Sequence, residues 1–233
     1  HKYGNVRAVH NTYLQRNSSE NTLKPLVFLV EFSDEQSTYS KTDFENLLFA
    51  ENLSPTVTYD YTMSVRDYFN EISNGLQDID GTVTDWKMAE HRYSHYVDGN
   101  QGQGEGTHGK ARSASALVVE TALNINEEGF DFSQFDNGHG AIDVIILVVA
   151  GQGVAYTDDN YFWPHMYFIP TGDDLSNIDS NALQSNEGYL KLNEVVLQKY
   201  IVIHEKYAFS YGGASPGDIH PIGTFCHEIG HVL

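Results

Sequence analysis

The residues best suited to chemistry lie at residues 223–233, GTFCHEIGHVL, which contain an H-E-x-x-H pattern. Positions i and i+4 of an α-helix share one face, so His227 and His231 can direct two imidazoles at one metal ion. Zinc accepts nitrogen ligands, and in catalytic sites it keeps one position open for water. The pattern therefore predicts a zinc site in which Glu228 takes a proton from the water that the metal activates.

The alternative is a surface helix with two unrelated histidines, which would have polar surroundings. Here the flanking residues are apolar, with GTFC before the pattern and VL after it. Phe225, Ile229 and Val232 give the helix an apolar face. Burying two histidines and a glutamate without partners would cost several kcal/mol, and a metal removes that cost. The apolar flanks therefore favour the metal site.

The elements that must position this helix alternate along the chain. Apolar, β-branched runs predict buried strands at 25–32 and 141–151. Further strands are predicted at 76–88, at 160–170 and, as one or two strands, within 190–207. Helices are predicted at 42–49, 64–73, about 110–125 and from about Ile222 onward. We therefore expect an α/β (α+β) fold with a mixed twisted sheet backed by helices and the active-site helix at the C-terminal end.

Composition excludes several classes of protein. The formal net charge of −19 repels phosphate backbones, so we expect no nucleic-acid partner. No apolar run approaches the roughly 20 residues that span a bilayer. The single cysteine, Cys226, cannot form an intrachain disulfide, and its position next to His227 predicts a small buried hydrophobe rather than a ligand. We expect a monomer, and the H-E-x-x-H pattern, which is typical of metalloproteases, makes proteins or peptides the expected substrates.

Two further sites are predicted less directly. The loop DNGHGAID resembles a calcium loop, in which Asp136 and Asp143 would be the best ligands; the alternative is an Asx-rich turn before a strand. Pro164 favours a sheet edge or a bulge for the strand at 160–170, and at an edge extended substrate could pair with it. His165 on that strand is a candidate for stabilising the oxyanion; the alternative is an aromatic packing segment with a solvent-facing histidine.

Several stretches together resemble the immune inhibitor A family of bacterial secreted metallopeptidases. These stretches are GTFCHEIGHVL, PLVFLVEFSD, FDNGHGAIDVIILVVAG, FWPHMY and SVRDYFNEISNGLQDIDGTV. The last matches the family's Ser-x-x-x-Tyr-Phe-x-Glu-x-Ser-x-Gly segment at Ser64, Tyr68, Phe69, Glu71, Ser73 and Gly75. The resemblance covers about residues 25–233, and its elements occur in the family's order.

The resemblance implies a zincin-like catalytic domain, secreted and cutting within polypeptide chains. The family continues past its second histidine to an Asp that supplies the third zinc ligand, which we therefore expect beyond residue 233. We expect residues 1–24 to form an extension or loosely packed segment. Residues 25–233 are then the N-terminal part of the domain, and such a fragment is expected to be inactive. The alternative function is an inactive metal-binding or adhesion module on the same scaffold, which would not need Glu228.

Overall fold

A five-stranded sheet forms the centre of the computed structural model, which describes residues 22–53, 63–153, 158–179, 188–209 and 215–233. Its strands are β2 (Leu26–Glu31), β4 (Thr82–Met88), β5 (Ile145–Gln152), β6 (His165–Phe168) and β9 (Lys199–Lys206). Their order is β4-β2-β5-β9-β6, with the first four parallel and β6 antiparallel at the edge. The predicted edge position of residues 160–170 is thus confirmed for β6.

Two short pairs of strands accompany the sheet. β1 (Thr22–Leu23) runs parallel to β3 (Asp78–Ile79), and β7 (Leu190–Leu192) forms a hairpin with β8 (Val195–Leu197). β1 attaches residues 22–23 to the domain, while residues 1–21 of the predicted extension lie outside the described part of the chain. The described residues contain six α-helices, which are α1 (Lys41–Phe49), α2 (Val65–Ile72), α3 (Tyr93–Val97), α4 (Ala114–Glu127), α5 (Asp173–Ile178) and α6 (Ile222–Gly230).

Both faces of the sheet are covered, which explains the continuous apolar runs of its central strands. In β5, seven of the eight residues are buried. Alternate residues of each strand point to opposite faces. One face packs against α3 and α4. The other packs against α1, α2 and α6, so the H-E-x-x-H helix lies on that second face. The result is a mixed α/β domain with a mostly parallel sheet between helical layers.

The first and last residues of helix α2 are determined by the sequence at its two ends. Ser64 caps its N-terminus: its hydroxyl accepts the Asp67 amide, and the Asp67 carboxylate accepts the Ser64 amide. The same hydroxyl donates to the carbonyl of Ala50 at 2.6 Å. The helix ends before Asn74 and Gly75, which both have positive φ angles, 55° and 79°. The helix predicted at 64–73 is confirmed as Val65–Ile72.

This cap gives a first testable prediction. Ser64 is fully buried, so Ser64→Ala leaves the carbonyl of Ala50 and one helix amide without their partner, and we expect a loss of about 2 kcal/mol in the free energy of unfolding. Ser40 caps α1 in the same way but in an exposed position, so Ser40→Ala should cost about 1 kcal/mol or less. Thermal or denaturant unfolding measures both. An equal loss in the two variants would contradict the role given to the Ser64–Ala50 bond.

Candidate metal centre and cleft

Helix α6 places the H-E-x-x-H residues between the sheet and an open cleft. Pro221, which has no amide hydrogen to leave unsatisfied, precedes the first turn. Phe225 and Ile229, four residues apart, are fully buried against the second face of the sheet. The two histidines are also four residues apart and lie on a different side of the helix, where both His227 and His231 are exposed. The apolar pair therefore fixes the helix while the histidine pair stays accessible.

The two imidazoles converge on one point. Their Nε2 atoms lie 3.3 Å apart. Two nitrogens that share one tetrahedral zinc at about 2.0–2.1 Å lie about 3.3–3.4 Å from each other. The histidine pair therefore fits a single zinc ion. No group of three or more His, Cys, Asp or Glu side chains within the described ranges could hold a metal, so this part of the chain offers two ligands.

Glu228 lies against the edge strand. Its side chain is buried, and its carboxylate accepts a hydrogen bond from the backbone amide of Met166 in β6. Burial raises the pKa of Glu228 above its ordinary value, while His227, His231 and the Met166 amide act in the opposite direction. A carboxylate held in such surroundings is a better proton acceptor than one in water.

An open cleft of about 470 Å³ adjoins the helix. It lies beyond the C-terminal ends of the parallel strands β5 and β9, which is where ligands bind in many open α/β sheets. Its lining includes both His227 and Glu228. The other lining residues are Gly153, Trp163, Pro164, His204, Tyr207, Ala208, Phe209, His220, Gly223 and Thr224.

Two lining histidines were not assigned a role by the sequence reasoning. His204 in β9 and His220 before α6 are both buried. Burial lowers the pKa of His204 to about 3, with a smaller contribution from His220, and burial lowers the pKa of His220 to about 4. Both rings are therefore neutral near pH 7. The burial of His204 had a signal in the sequence, because it continues the apolar run of residues 200–203 in a central strand.

The structure does not support the oxyanion role considered for His165. His165 lies opposite Val202 in the register of β6 and β9, so its side chain is on the face that packs against α4 rather than the face of α6. Its Nδ1 lies 2.7 Å from the carbonyl of Trp163 and its Nε2 lies 3.0 Å from the hydroxyl of Tyr200. The ring is half-buried rather than solvent-facing, and burial lowers its pKa. Its neighbour Met166 faces α6 instead.

The predicted calcium loop has the geometry of the alternative, an Asx-rich turn. One carboxylate oxygen of Asp136 accepts the amides of Gly138 and Gly140, at 2.9 and 2.8 Å. Asp143 accepts the amide of Lys24 and the side-chain amide of Asn137. These carboxylates satisfy backbone and amide donors of the loop itself, so a calcium site at Asp136 and Asp143 is not supported.

Cys226 behaves as predicted. It is a free cysteine, half-buried beside the core of the second face. Burial raises the pKa of its thiol to about 12, so the thiolate that a nucleophile or metal ligand requires is not formed near pH 7.

Comparison with known proteins identifies a family for this chain. Residues 11–233 match the family model described as immune inhibitor A peptidase M6, catalytic domain. The class of protein is therefore a metallopeptidase domain, for which the family implies a metal, typically zinc. The chain belongs to the immune inhibitor A peptidase family, as the sequence resemblance predicted.

Alignment with one curated relative shows the sequence identity and how much of that protein's length the chain covers. The chain is 24% identical over 177 residues to a protein named immune inhibitor A from Bacillus thuringiensis subsp. alesti. The aligned stretch is 63% of this chain and 26% of that protein, so the chain spans about a quarter of the length of the relative. No helix in the described residues is long and apolar enough to cross a membrane.

Proposed function

We propose that this chain forms part of a secreted, zinc-dependent endopeptidase with a zincin-like active site. The observation that carries the proposal is the convergence of the His227 and His231 Nε2 atoms at 3.3 Å, with Glu228 beside them against the edge strand. Zinc held there would supply the Lewis acidity that polarises a peptide carbonyl and lowers the pKa of water. The third ligand is expected from outside the described residues.

Glu228 is the proposed general base. Its carboxylate would take the proton of the water that attacks the peptide carbonyl and pass it to the departing amine nitrogen. β6 is the edge strand of the sheet within the described residues, which supports cleavage within chains, because an extended polypeptide can add to such an edge as a further strand. The alternative, a binding or adhesion module without catalysis, has no use for a buried glutamate at this position and is not favoured.

Elemental analysis of the full-length protein tests the metal. We expect one zinc per chain in the wild type. We expect His227→Ala and His231→Ala each to lower the zinc affinity by more than about 100-fold, which exceeds the loss usual for mutations of residues that do not ligate the metal. His139→Ala, at an exposed histidine of the Asx-rich turn, is the control and should keep its zinc. A wild type without zinc, or two ligand variants that retain it, would contradict the proposal.

A further inference from the structure

The cleft beside Glu228 has walls that suit an aromatic side chain. Trp163, Pro164, Tyr207 and Phe209 supply its large apolar and aromatic side chains, alongside three histidines and Glu228. Among the described lining residues, Glu228 is the only one with a carboxylate, and no lysine or arginine is present. A cleft of about 470 Å³ is also within the size range of pockets that hold small organic groups. The walls therefore favour a large uncharged group over a charged one.

The floor of this cleft presents a hydrogen-bond donor whose direction is fixed by the fold. The Tyr93 hydroxyl accepts the Phe162 amide at 3.1 Å and lies 3.0 Å from Nε2 of His204. Among the described residues, Nε2 of His204 is the only acceptor that the Tyr93 hydroxyl contacts, and burial raises the pKa of Tyr93, so we assign the tautomer in which the hydroxyl keeps its proton and donates it to Nε2. Because His204 is neutral, its own proton must then be on Nδ1.

Gly153 determines whether this donor can be reached. A Cβ atom built on Gly153 would lie 2.8 Å from Nδ1 of His204, closer than van der Waals contact allows. Both residues line the cleft, and within the described ranges Nδ1 of His204 has no hydrogen-bond partner. The absence of a side chain at 153 thus leaves the Nδ1–H group open to a ligand in the cleft.

We propose that this cleft binds the side chain of a tyrosine that flanks the scissile bond, with its phenol oxygen accepting the Nδ1–H of His204. This inference rests on the proposed peptidase function. Phenylalanine would fill the same aromatic walls but leave the buried donor unsatisfied. A lost hydrogen bond of this kind corresponds to a preference for tyrosine over phenylalanine of about tenfold.

The test uses the full-length protein and does not assume on which side of the bond the pocket acts. Cleavage sites in a peptide library are read by mass spectrometry, and matched peptides with Tyr or Phe at the enriched position are then compared by kcat/KM. We expect tyrosine to be enriched at one position next to the cut and the Tyr:Phe ratio to be about ten. Cleavage without such enrichment would overturn the inference and leave the peptidase function intact.

Two glycine variants separate the donor from the rest of the cleft. Gly153→Ala covers Nδ1 of His204 and should bring the Tyr:Phe ratio close to one. Gly223→Ala adds the same methyl group to the cleft lining where no atom lies within 4 Å, and should keep the ratio. An unchanged ratio in Gly153→Ala would overturn the role of His204.

A binding measurement keeps the test independent of catalysis. 4-Methylphenol and toluene are the side chains of tyrosine and phenylalanine, and their affinities can be compared by ligand-detected NMR. We expect 4-methylphenol to bind about tenfold more tightly to the wild type, with the difference lost in Gly153→Ala. If no peptide is cut, the proposed function fails; equal affinities of the two probes would overturn the pocket inference itself.

Discussion

Glu228→Gln should lower kcat/KM of the full-length protein by about 10²–10⁴-fold, the usual contribution of a general base. This equals about 3–5 kcal/mol of transition-state stabilisation. The reason is chemical rather than structural, because glutamine keeps the size of the side chain but cannot accept a proton from water. The amide of Met166, which now donates to the carboxylate, can still donate to the glutamine oxygen.

Zinc content separates this effect from loss of the site. We expect Glu228→Gln to bind as much zinc as the wild type, since the substitution leaves His227 and His231 in place. Cys226→Ala, at the adjacent helix position, is the matched control and should retain full activity, because its thiol remains protonated and faces the core. Substantial peptide cleavage by a zinc-loaded Glu228→Gln enzyme would refute the base assignment and favour another proton acceptor.

A second large effect is expected on acidification. His204 and His220 have folded-state pKa values of about 3 and about 4, against about 6.5 in an unfolded chain. A lowered pKa in the folded state means that stability is fully present above about pH 6.5 and is lost as the pH falls toward those values. Between pH 7 and pH 5 each histidine should remove about 2 kcal/mol, and together about 4 kcal/mol.

Hydrogen exchange of peptides covering β9, corrected for the intrinsic effect of pH, measures this loss in the full-length protein. His220→Asn removes one of the two titrating rings, so its stability should fall by about 2 kcal/mol less than that of the wild type over the same pH interval. His139→Asn serves as the exposed control. Burial raises the pKa of Glu205, so this carboxyl group adds stability as the pH falls, opposite to the two histidines. Comparing His220→Asn with the wild type cancels this contribution, because both contain Glu205. Equal pH sensitivity in the wild type and His220→Asn would contradict the prediction.

The elements with strong local signals could be predicted from the sequence. The apolar run at 25–32 forms β2, and the helix predicted at 64–73 forms α2 with the cap at Ser64. The region 190–207 was predicted as one or two strands but contains three. Asn193 and Glu194 both adopt positive φ angles, 47° and 68°, and make a two-residue turn between β7 and β8. Asn-Glu lacks the glycine that normally marks such a turn, so the hairpin had no clear signal.

The candidate site was predictable only in its local part. The H-E-x-x-H spacing places His227, Glu228 and His231 by helix geometry alone. The face on which His165 lies depends on the register of β6 against β9, and a shift of one residue would reverse it. The position of His204 depends on Tyr93, which is 111 residues away in the sequence. Contacts of that range have no periodic pattern from which they could be predicted.

In the proposed peptidase, the length of the edge strand would limit the stretch of substrate that pairs with the sheet. β6 contains four residues, His165–Phe168, which corresponds to about 13 Å of extended chain. A polypeptide aligned along it would pair with the sheet over only about four residues. A peptidase built on this strand would therefore form backbone pairs with only a short stretch of its substrate, and an unfolded segment or exposed loop of about four residues would be long enough to pair with it.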